Sequence, residues 1–346
     1  MTNSGTLITV FGGSGFLGRH IVRMLAGRRY RLRVAVRRPY LVRYPGQAGQ
    51  IEAFRADVQL PRSVESAVRG AEIVINLVGI LSEHSGQRFD AVQEQGAGTV
   101  ARATAKVGAK LIHISSIGAD ATSRARYARS KARGEAAVLA EMPGATIFRP
   151  SIVFGPDDEF FNRLGEMARM LPFLPLIDGG QTRFQPVFVG DVARAVGKAV
   201  MGEIRPGTIY ELGGPDVMTL QELMEFVLAA IGRRRFLVSV PLTIAELQAA
   251  ILQFLPGAPL TPDQVELLVS DNVVSAAAEQ QDRTLAGIRY RSGFHRVDRP
   301  KIPTALPNLS VNSLHVHARA SGWEQIAVAK LRRRKSANGG VHRDCP

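Results

Sequence analysis

Along the first 150 residues, two patterns of apolar positions take turns. Leu7–Phe11, Leu32–Val36, Ile51–Phe54, Ile73–Val78, Leu111–Ser115 and Thr146–Phe148 are nearly continuous apolar runs, the pattern of strands buried on both faces. Between them the spacing is helical. Phe16–Ala26 sets Leu17, Ile21, Met24 and Leu25 on one face and meets a stop at Gly27. Ser63–Arg69 follows Pro61, and Phe89–Lys106 and Arg129–Glu141 are longer. Strict alternation predicts an α/β fold: a Rossmann-type, doubly wound parallel sheet with right-handed crossovers.

Past Pro150 the pattern loosens. Helices are predicted over Phe160–Met170 and Asp191–Met201, a short strand over Ile209–Leu212, and a loop around Pro172, Pro175, Gly179 and Gly180. Thr219 with Glu222 forms a capping box that opens a helix over Leu220–Ile231. Leu242–Phe254 is an apolar helix, and a last one runs from Thr261-Pro262 to about Val269. These two either pack in a core or dock on a partner or a membrane surface. Three regions follow: a dinucleotide-binding domain over 1–150, a smaller mixed cap over 151–288 interleaved with it, and a patternless tail over 289–346.

Charge sharpens that last boundary. The chain is 45% hydrophobic and 21% charged, which is globular composition, but its net charge is +14. Residues 289–346 hold twelve basic residues against three acidic ones, so the tail carries +9 and the body an ordinary +5. The tail reads as a disordered basic extension, or as a segment translated in a shifted frame after about Ile288. It lacks interleaved aromatics, so no nucleic acid is expected. A single Cys excludes an internal disulfide and a cysteine metal cage, and no metal is expected. No secretory leader or run of roughly 20 apolar residues is present, which predicts a cytoplasmic protein.

The candidate chemistry sits at strand ends. Gly12, Gly13, Ser14, Gly15, Phe16, Leu17 and Gly18 lie between the first strand and the first helix. Gly12 permits the turn, Gly15 lets a pyrophosphate reach the helix N-terminus, and Gly18 brings the helix onto the sheet. A glycine-rich turn is the plain alternative, but the strand–loop–helix context favours a nucleotide. Where an acid would hold a ribose 2′-hydroxyl, the chain has Arg37 and Arg38, which suit a 2′-phosphate and favour NADP(H) over NAD(H). Asp57 and Val58 would meet the adenine, and Leu77, Val78 and Gly79 would pass the adenosine ribose.

Tyr127 and Lys131 stand four apart, on one helix face, after the fifth strand. An ammonium beside a phenol favours phenolate, as proton transfer to a carbonyl requires. Ser115 or Ser116 would polarise the substrate oxygen.

Taken with Arg149–Pro156, Val189–Ala193 and Tyr210–Pro215, these motifs resemble the extended short-chain dehydrogenase/reductase family over about residues 1–288. Ala35–Pro39, His113–Ser116, Ser123–Glu135, Phe184–Val189 and Leu260–Val265 are most similar to one branch, the nucleotide-binding accessory subunit of respiratory complex I and its bacterial relatives. That resemblance implies a tightly held, structural NADP(H), with Ser115, Pro150 and Ile152 added to its binding residues. It also implies complex I subunits as partners and a peripheral place on the inner membrane, near quinone. The wider family implies an NADP(H)-dependent reductase, dehydratase or epimerase acting on a nucleotide-sugar or quinone-like carbonyl. There Tyr127 would be the acid/base, Lys131 its tuner and ribose anchor, and Ser116 the oxyanion partner. One position departs from the pattern: Ile117 stands where extended enzymes carry a third Ser or Thr. A missing donor of that kind costs a factor of about 100 or more.

Overall fold

The computed structural model describes residues 5–278, apart from 29, 43, 45–48, 85, 254–259 and 277. The expectations for 289–346, and for the end of the helix at Phe254, lie outside those residues.

The strands are β1 Leu7–Phe11, β2 Arg31–Val36, β3 Ile51–Arg55, β4 Ile73–Asn76, β5 Lys110–Ile114, β6 Thr146–Pro150, β7 Val153–Phe154, β8 Phe173–Ile177, β9 Arg183–Phe184, β10 Val187–Phe188, β11 Ile209–Leu212, β12 Met218–Thr219 and β13 Phe236–Val240. The helices are α1 Phe16–Ala26, α2 Pro61–Val68, α3 Gly96–Lys106, α4 Arg126–Glu141, α5 Phe160–Met170, α6 Val189–Met201, α7 Leu220–Ile231, α8 Leu242–Leu252 and α9 Pro262–Leu268.

Seven strands form one parallel sheet in the order β11-β6-β5-β4-β1-β2-β3. The chain starts in the middle, winds outward to β3, then returns across β1 to β4. The strand order reverses there, and the ends of β1 and β4 bound the crevice in which open α/β sheets hold ligands. Alternate residues of one strand feed opposite layers: Val10 packs with Ile21, Leu25 and Val196 beneath α1 and α6, and Phe11 packs with Val64, Val100 and Val138 beneath α2, α3 and α4. Both layers are closely packed, and the buried polar side chains Asn76, His113 and Ser115 gather at or just past the ends of β4 and β5.

Departures from the sequence pattern have local causes. The fourth strand stops at Asn76 rather than Val78, because the Asn76 side chain accepts the Val78 N–H at 3.1 Å and turns the chain. The segment from Phe89 opens as a π turn over Asp90–Gln95 before α3 begins. The expected loop around Pro172–Gly180 contains β8, which pairs in parallel with β13, a strand the pattern did not predict. Smaller pairs join β7 to β10 and β9 to β12. Two further cores lie in this region. One gathers Leu164, Leu174, Leu223 and Val227; the other buries Ile177, Ala245, Ala249 and Val265, with Val240, Leu242 and Leu268 packed against them.

Candidate functional site

The glycine loop is built by backbone contact. Gly12 takes φ +77°, and a Cβ there would lie 3.2 Å from the Leu77 carbonyl carbon. The loop thus rests directly on the 77–79 turn. A Cβ on Gly18 would stand 2.4 Å from the Gly12 carbonyl oxygen, so only glycine lets α1 start this close to β1. Gly15 caps α1 without a side chain, and Ser14 and Gly15 are exposed. Gly13, by contrast, is buried against Val34 and Val22. Phe16 packs edge-on to His20, and Leu17 packs onto the sheet core. Tyr44 donates to the Gly13 carbonyl at 2.6 Å, a tether that sequence patterning missed; burial pushes its phenol up to about 12.

Arg37 and Arg38 follow the buried Val36 and are exposed, and neither side chain has an ion-pair or hydrogen-bond partner among the described residues. Asp57 is half-buried at the end of β3 and accepts the Gln59 N–H at 3.0 Å. Val58 is buried against Gly96, where α3 begins.

The polar centre lies where β4, β5 and α4 meet. A Cβ on Gly79 would have Lys131 Nζ 3.1 Å away and Gln93 Oε1 3.3 Å away, so these two groups flank the same point. Lys131 is 6% exposed, and its ammonium has only a 3.5 Å bond to the Ile114 carbonyl. Burial holds it down at about 8, with Glu135 opposing. It stands 5.8 Å from the Tyr127 ring centroid. Burial also raises the Tyr127 phenol; the Ser116 hydroxyl opposes that rise and the Asp263 carboxylate adds to it. The phenol is therefore protonated at neutral pH.

Gln93 was not singled out by motif, and the π turn is what delivers it. Its Nε2 donates to Ser130 Oγ at 2.8 Å, and that hydroxyl donates onward to the Tyr127 carbonyl at 2.7 Å. Oε1 is thereby left beside Gly79 without a hydrogen-bond partner. Gly134 makes room for this: a Cβ there would fall 2.1 Å from the Gln93 carbonyl oxygen. His113, behind the site, contacts Asn76 at 3.2 Å and is held down at about 3 by burial, with Lys131 adding to the effect, so the ring is neutral.

The C-terminal region closes one side. Asp263 of α9 accepts the N–H groups of Arg126 and, at 3.0 Å, Tyr127, capping a helix whose own cap residue is Ala125. Asn272 binds Ser151 Oγ at 2.6 Å and the Ile152 N–H at 3.1 Å, and reaches the Ile117 carbonyl at 3.3 Å. Pro150 accepts from the Ile117 N–H at 3.0 Å. Ile117 itself is buried, a hydrocarbon where a third hydroxyl would stand.

Among the described residues, three buried side-chain polar atoms have no hydrogen-bond partner of good geometry: Gln93 Oε1, Ser115 Oγ and Ser116 Oγ, the last lying close enough to the Tyr127 phenol to favour its ionised form without a well-aligned bond. Such groups are costly unless something satisfies them. Together with the exposed helix start, they fit a nicotinamide dinucleotide; Gly12–Gly18 would hold its phosphates, Asp57, Val58 and Leu77–Gly79 its adenosine, and Lys131 its second ribose. Its nicotinamide would supply or accept hydride when bound, and Tyr127 would hold a proton at Oη beside the Lys131 ammonium and the Ser116 hydroxyl. No group of three or more metal-ligating side chains occurs among the described residues, and no described helix is long and apolar enough to cross a membrane.

Known proteins are similar in the same residues. Residues 8–213 match the NAD dependent epimerase/dehydratase family. The chain is 34% identical over 332 residues to the Arabidopsis thaliana protein named NADH dehydrogenase (ubiquinone) 1 alpha subcomplex subunit 9, mitochondrial, covering 87% of this chain and 83% of that one. It is 34% identical over 192 residues to a Caulobacter vibrioides ceramide reductase, covering 56% and 60%. Its fold resembles that of Thermus thermophilus UDP-glucose 4-epimerase in complex with NAD, with a TM-score of 0.56, 22% identity and coverage of 68% and 86%. With the sheet, the loop and the polar centre in place, the match over residues 8–213 makes this chain a member of the NAD dependent epimerase/dehydratase family of extended short-chain dehydrogenases/reductases.

Proposed function

We propose that this protein is an NADP(H)-holding accessory or assembly subunit of NADH:ubiquinone oxidoreductase, peripheral on the cytoplasmic face of the inner membrane. Its dinucleotide is a structural ligand rather than a consumed one. The observation that carries the cofactor half is the end of β2, where Arg37 and Arg38 are exposed and unpaired among the described residues. A 2′-phosphate would give both guanidinium groups a bidentate partner. The accessory half is supported by the Arabidopsis relative, whose printed name is that of a complex I subunit and which is similar over 87% of this chain. A ligand that binds only the folded state stabilises it by mass action, with no turnover needed. The buried Ile117, in place of a hydroxyl, favours that reading.

The test is the ligand itself. Mass spectrometry of the small molecules released from the denatured protein is expected to find NADP(H); NAD(H) alone would overturn the cofactor assignment. Arg37→Glu with Arg38→Glu is expected to lower NADPH affinity on the order of 100-fold while NADH affinity stays within about threefold. Equal losses for both nucleotides would refute 2′-phosphate recognition. Pull-down from membranes is expected to recover complex I subunits.

A second reading, an NADP(H)-dependent carbonyl reductase, is favoured by one observation: Tyr127, Ser116 and Lys131 are gathered at one cleft. It wins if carbonyls or quinones drive NADPH oxidation that Tyr127→Phe abolishes.

A further inference from the structure

Helix α4 carries Tyr127 and Lys131 in its first two turns, yet it has no cap of its own. Its cap position is Ala125, which offers no side-chain acceptor. The first N–H groups of a helix need one. Here the acceptor comes from α9. Asp263 Oδ1 takes the Arg126 N–H, and Oδ2 takes the N–H of Tyr127 itself at 3.0 Å. A Ser or Asp at position 125 would cap the helix locally. The distant carboxylate does something more: it makes the start of α4 depend on where α9 lies.

α9 is built to hold that carboxylate still. Thr261 and Gln264 close a capping box around its start, and Pro262 stands in its first turn. Val265, two residues after Asp263, is fully buried in one small core with Ala245 and Ala249 of α8. The same stretch of chain also holds the other wall of the polar centre. Asn272 Nδ2 donates to the carbonyl of Ile117, the residue after Ser115 and Ser116, at 3.3 Å. Its backbone is fixed in turn, donating to the Arg183 carbonyl at 2.8 Å and accepting the Gln185 N–H at 3.1 Å. Two residues nine positions apart thus grip the helix that bears Tyr127 and the turn that bears Ser116.

Few charges surround the phenol. Lys131 stands on the same helix with Glu135 beyond it, Ser116 comes from the end of β5, and the Phe89 ring meets Tyr127 edge-on. Arg126, next in the chain, is paired with Glu83 at 2.8 Å. Burial does most to raise the phenol; Ser116 opposes the rise and the Asp263 carboxylate adds to it.

We propose that Asp263 is a positioning residue for the Tyr127 hydroxyl and, through α4, for the Lys131 ammonium, so that the nicotinamide half of the cleft is complete only with residues 261–272 in place. This rests on the dinucleotide reading above and concerns the half of the ligand that the glycine loop does not hold.

The test compares NADPH with its adenosine half, adenosine 2′,5′-bisphosphate, by calorimetry on the full chain, with NADH and ADP as the parallel pair. Asp263→Ala is expected to weaken NADPH roughly tenfold and to leave the bisphosphate within about twofold. Asp263→Asn keeps one acceptor and is expected to lose roughly threefold; it carries the same comparison if the alanine variant does not fold. Thr219→Ala removes the cap of α7 and serves as the control. It is expected to lower the melting temperature as much as Asp263→Ala, by roughly 2–4 °C, without changing either affinity. An isotopic carbon label on the tyrosine ring carbon that bears the hydroxyl, read by NMR and assigned with Tyr127→Phe, reports on the phenol with no ligand present. In Asp263→Asn that signal is expected to move and to ionise at lower pH than in wild type.

The proposal is overturned if Asp263→Ala weakens both ligands equally or weakens neither, or if Thr219→Ala weakens NADPH as much. Each result would leave Asp263 a helix cap and nothing more. A Tyr127 signal identical in wild type and both Asp263 variants would overturn it as well. Wild-type protein that binds no nucleotide would overturn the cofactor reading alone, and the ligand-free carbon signal would then decide on Asp263 by itself.

Discussion

Helices α4 and α8 break the usual division of apolar inside and polar outside, in opposite directions. α4 is rich in charge, yet it turns Ser130, Lys131 and Glu135 inward alongside Ala128, Gly134 and Val138. α8 is almost wholly apolar, yet it buries two alanines and leaves Ile244, Leu247 and Ile251 in water. Each departure costs free energy in the isolated chain. On α4, Glu135 is satisfied by a two-point bond to Arg149 at 2.9 and 2.6 Å, whereas Lys131 has a long 3.5 Å bond to the Ile114 carbonyl and its neighbours Gln93 Oε1, Ser115 Oγ and Ser116 Oγ have no hydrogen-bond partner of good geometry. On α8 the deficit is hydrocarbon against water. The difference shows what each site lacks: the first lacks a polar molecule that enters a cleft, the second an apolar surface that covers a face.

The comparison can be broken on the α4 side first. Gly134→Ala puts a methyl group 2.1 Å from the Gln93 carbonyl, a backbone atom with nowhere to go. It is expected to destabilise the protein by roughly 3 kcal/mol or more, the top of the range for overpacking, despite alanine's better helix propensity. A denaturant midpoint equal to wild type would mean that α4 and the π turn are not locked as described.

Lys131→Met sharpens the same side through pH. The ammonium is lowered from 10.5 to about 8 on folding, so between those values the unfolded chain holds more protons. Ligand-free protein therefore gains stability as pH rises from about 8 toward 10.5, by up to about 3 kcal/mol, and lacks that increment below 8. The methionine variant is expected to lose this slope and to be at least as stable as wild type at pH 7. Melts at pH 7 and 9.5 check it; a slope that persists in the variant would place its origin elsewhere.

The smallest effect is expected on α8. Leu247→Ser with Ile251→Ser removes side chains that are 64% and 65% exposed, so stability should move by no more than about 0.5 kcal/mol. A loss above about 2 kcal/mol would show these residues buried in solution, and α8 would then be an ordinary core helix.

Much of the scaffold was legible because its signals are local. Buried parallel strands are short apolar runs, and β1, α1 and β11 end where the pattern ends. The Thr219–Glu222 capping box forms as its spacing predicts. Gly12, Gly18, Tyr127 and Lys131 were visible because their neighbours in sequence define their roles. What sequence hid depends on distant partners. Gln93 meets Ser130 from 37 positions away, Asp263 caps α4 from 136 and 137 away, and Asn272 reaches Ser151 across 121. No local pattern marks such pairs. β8 escaped because Pro172 and Pro175 punctuate it, a composition that an edge strand tolerates and a central one does not. β13 escaped because its strand partner lies more than 60 residues earlier in the chain.

The sheet order has a further consequence. The seventh strand, Ile209–Leu212, joins β6 only after the chain has left the sheet and laid down α5 and α6. A protease that removed everything beyond Pro150 would thus strip the outer partner from β6. A row of unpaired backbone groups would be uncovered along β6, whose Ile147 N–H now donates to the Thr208 carbonyl at 3.1 Å and whose residues Ile147–Pro150 lie in register with Ile209–Leu212. Bare edges of this kind recruit other strands. The half of the molecule with the glycine loop would survive such a cut as an aggregation-prone fragment rather than a small nucleotide-binding module, which ties the fate of the two halves together during synthesis and turnover.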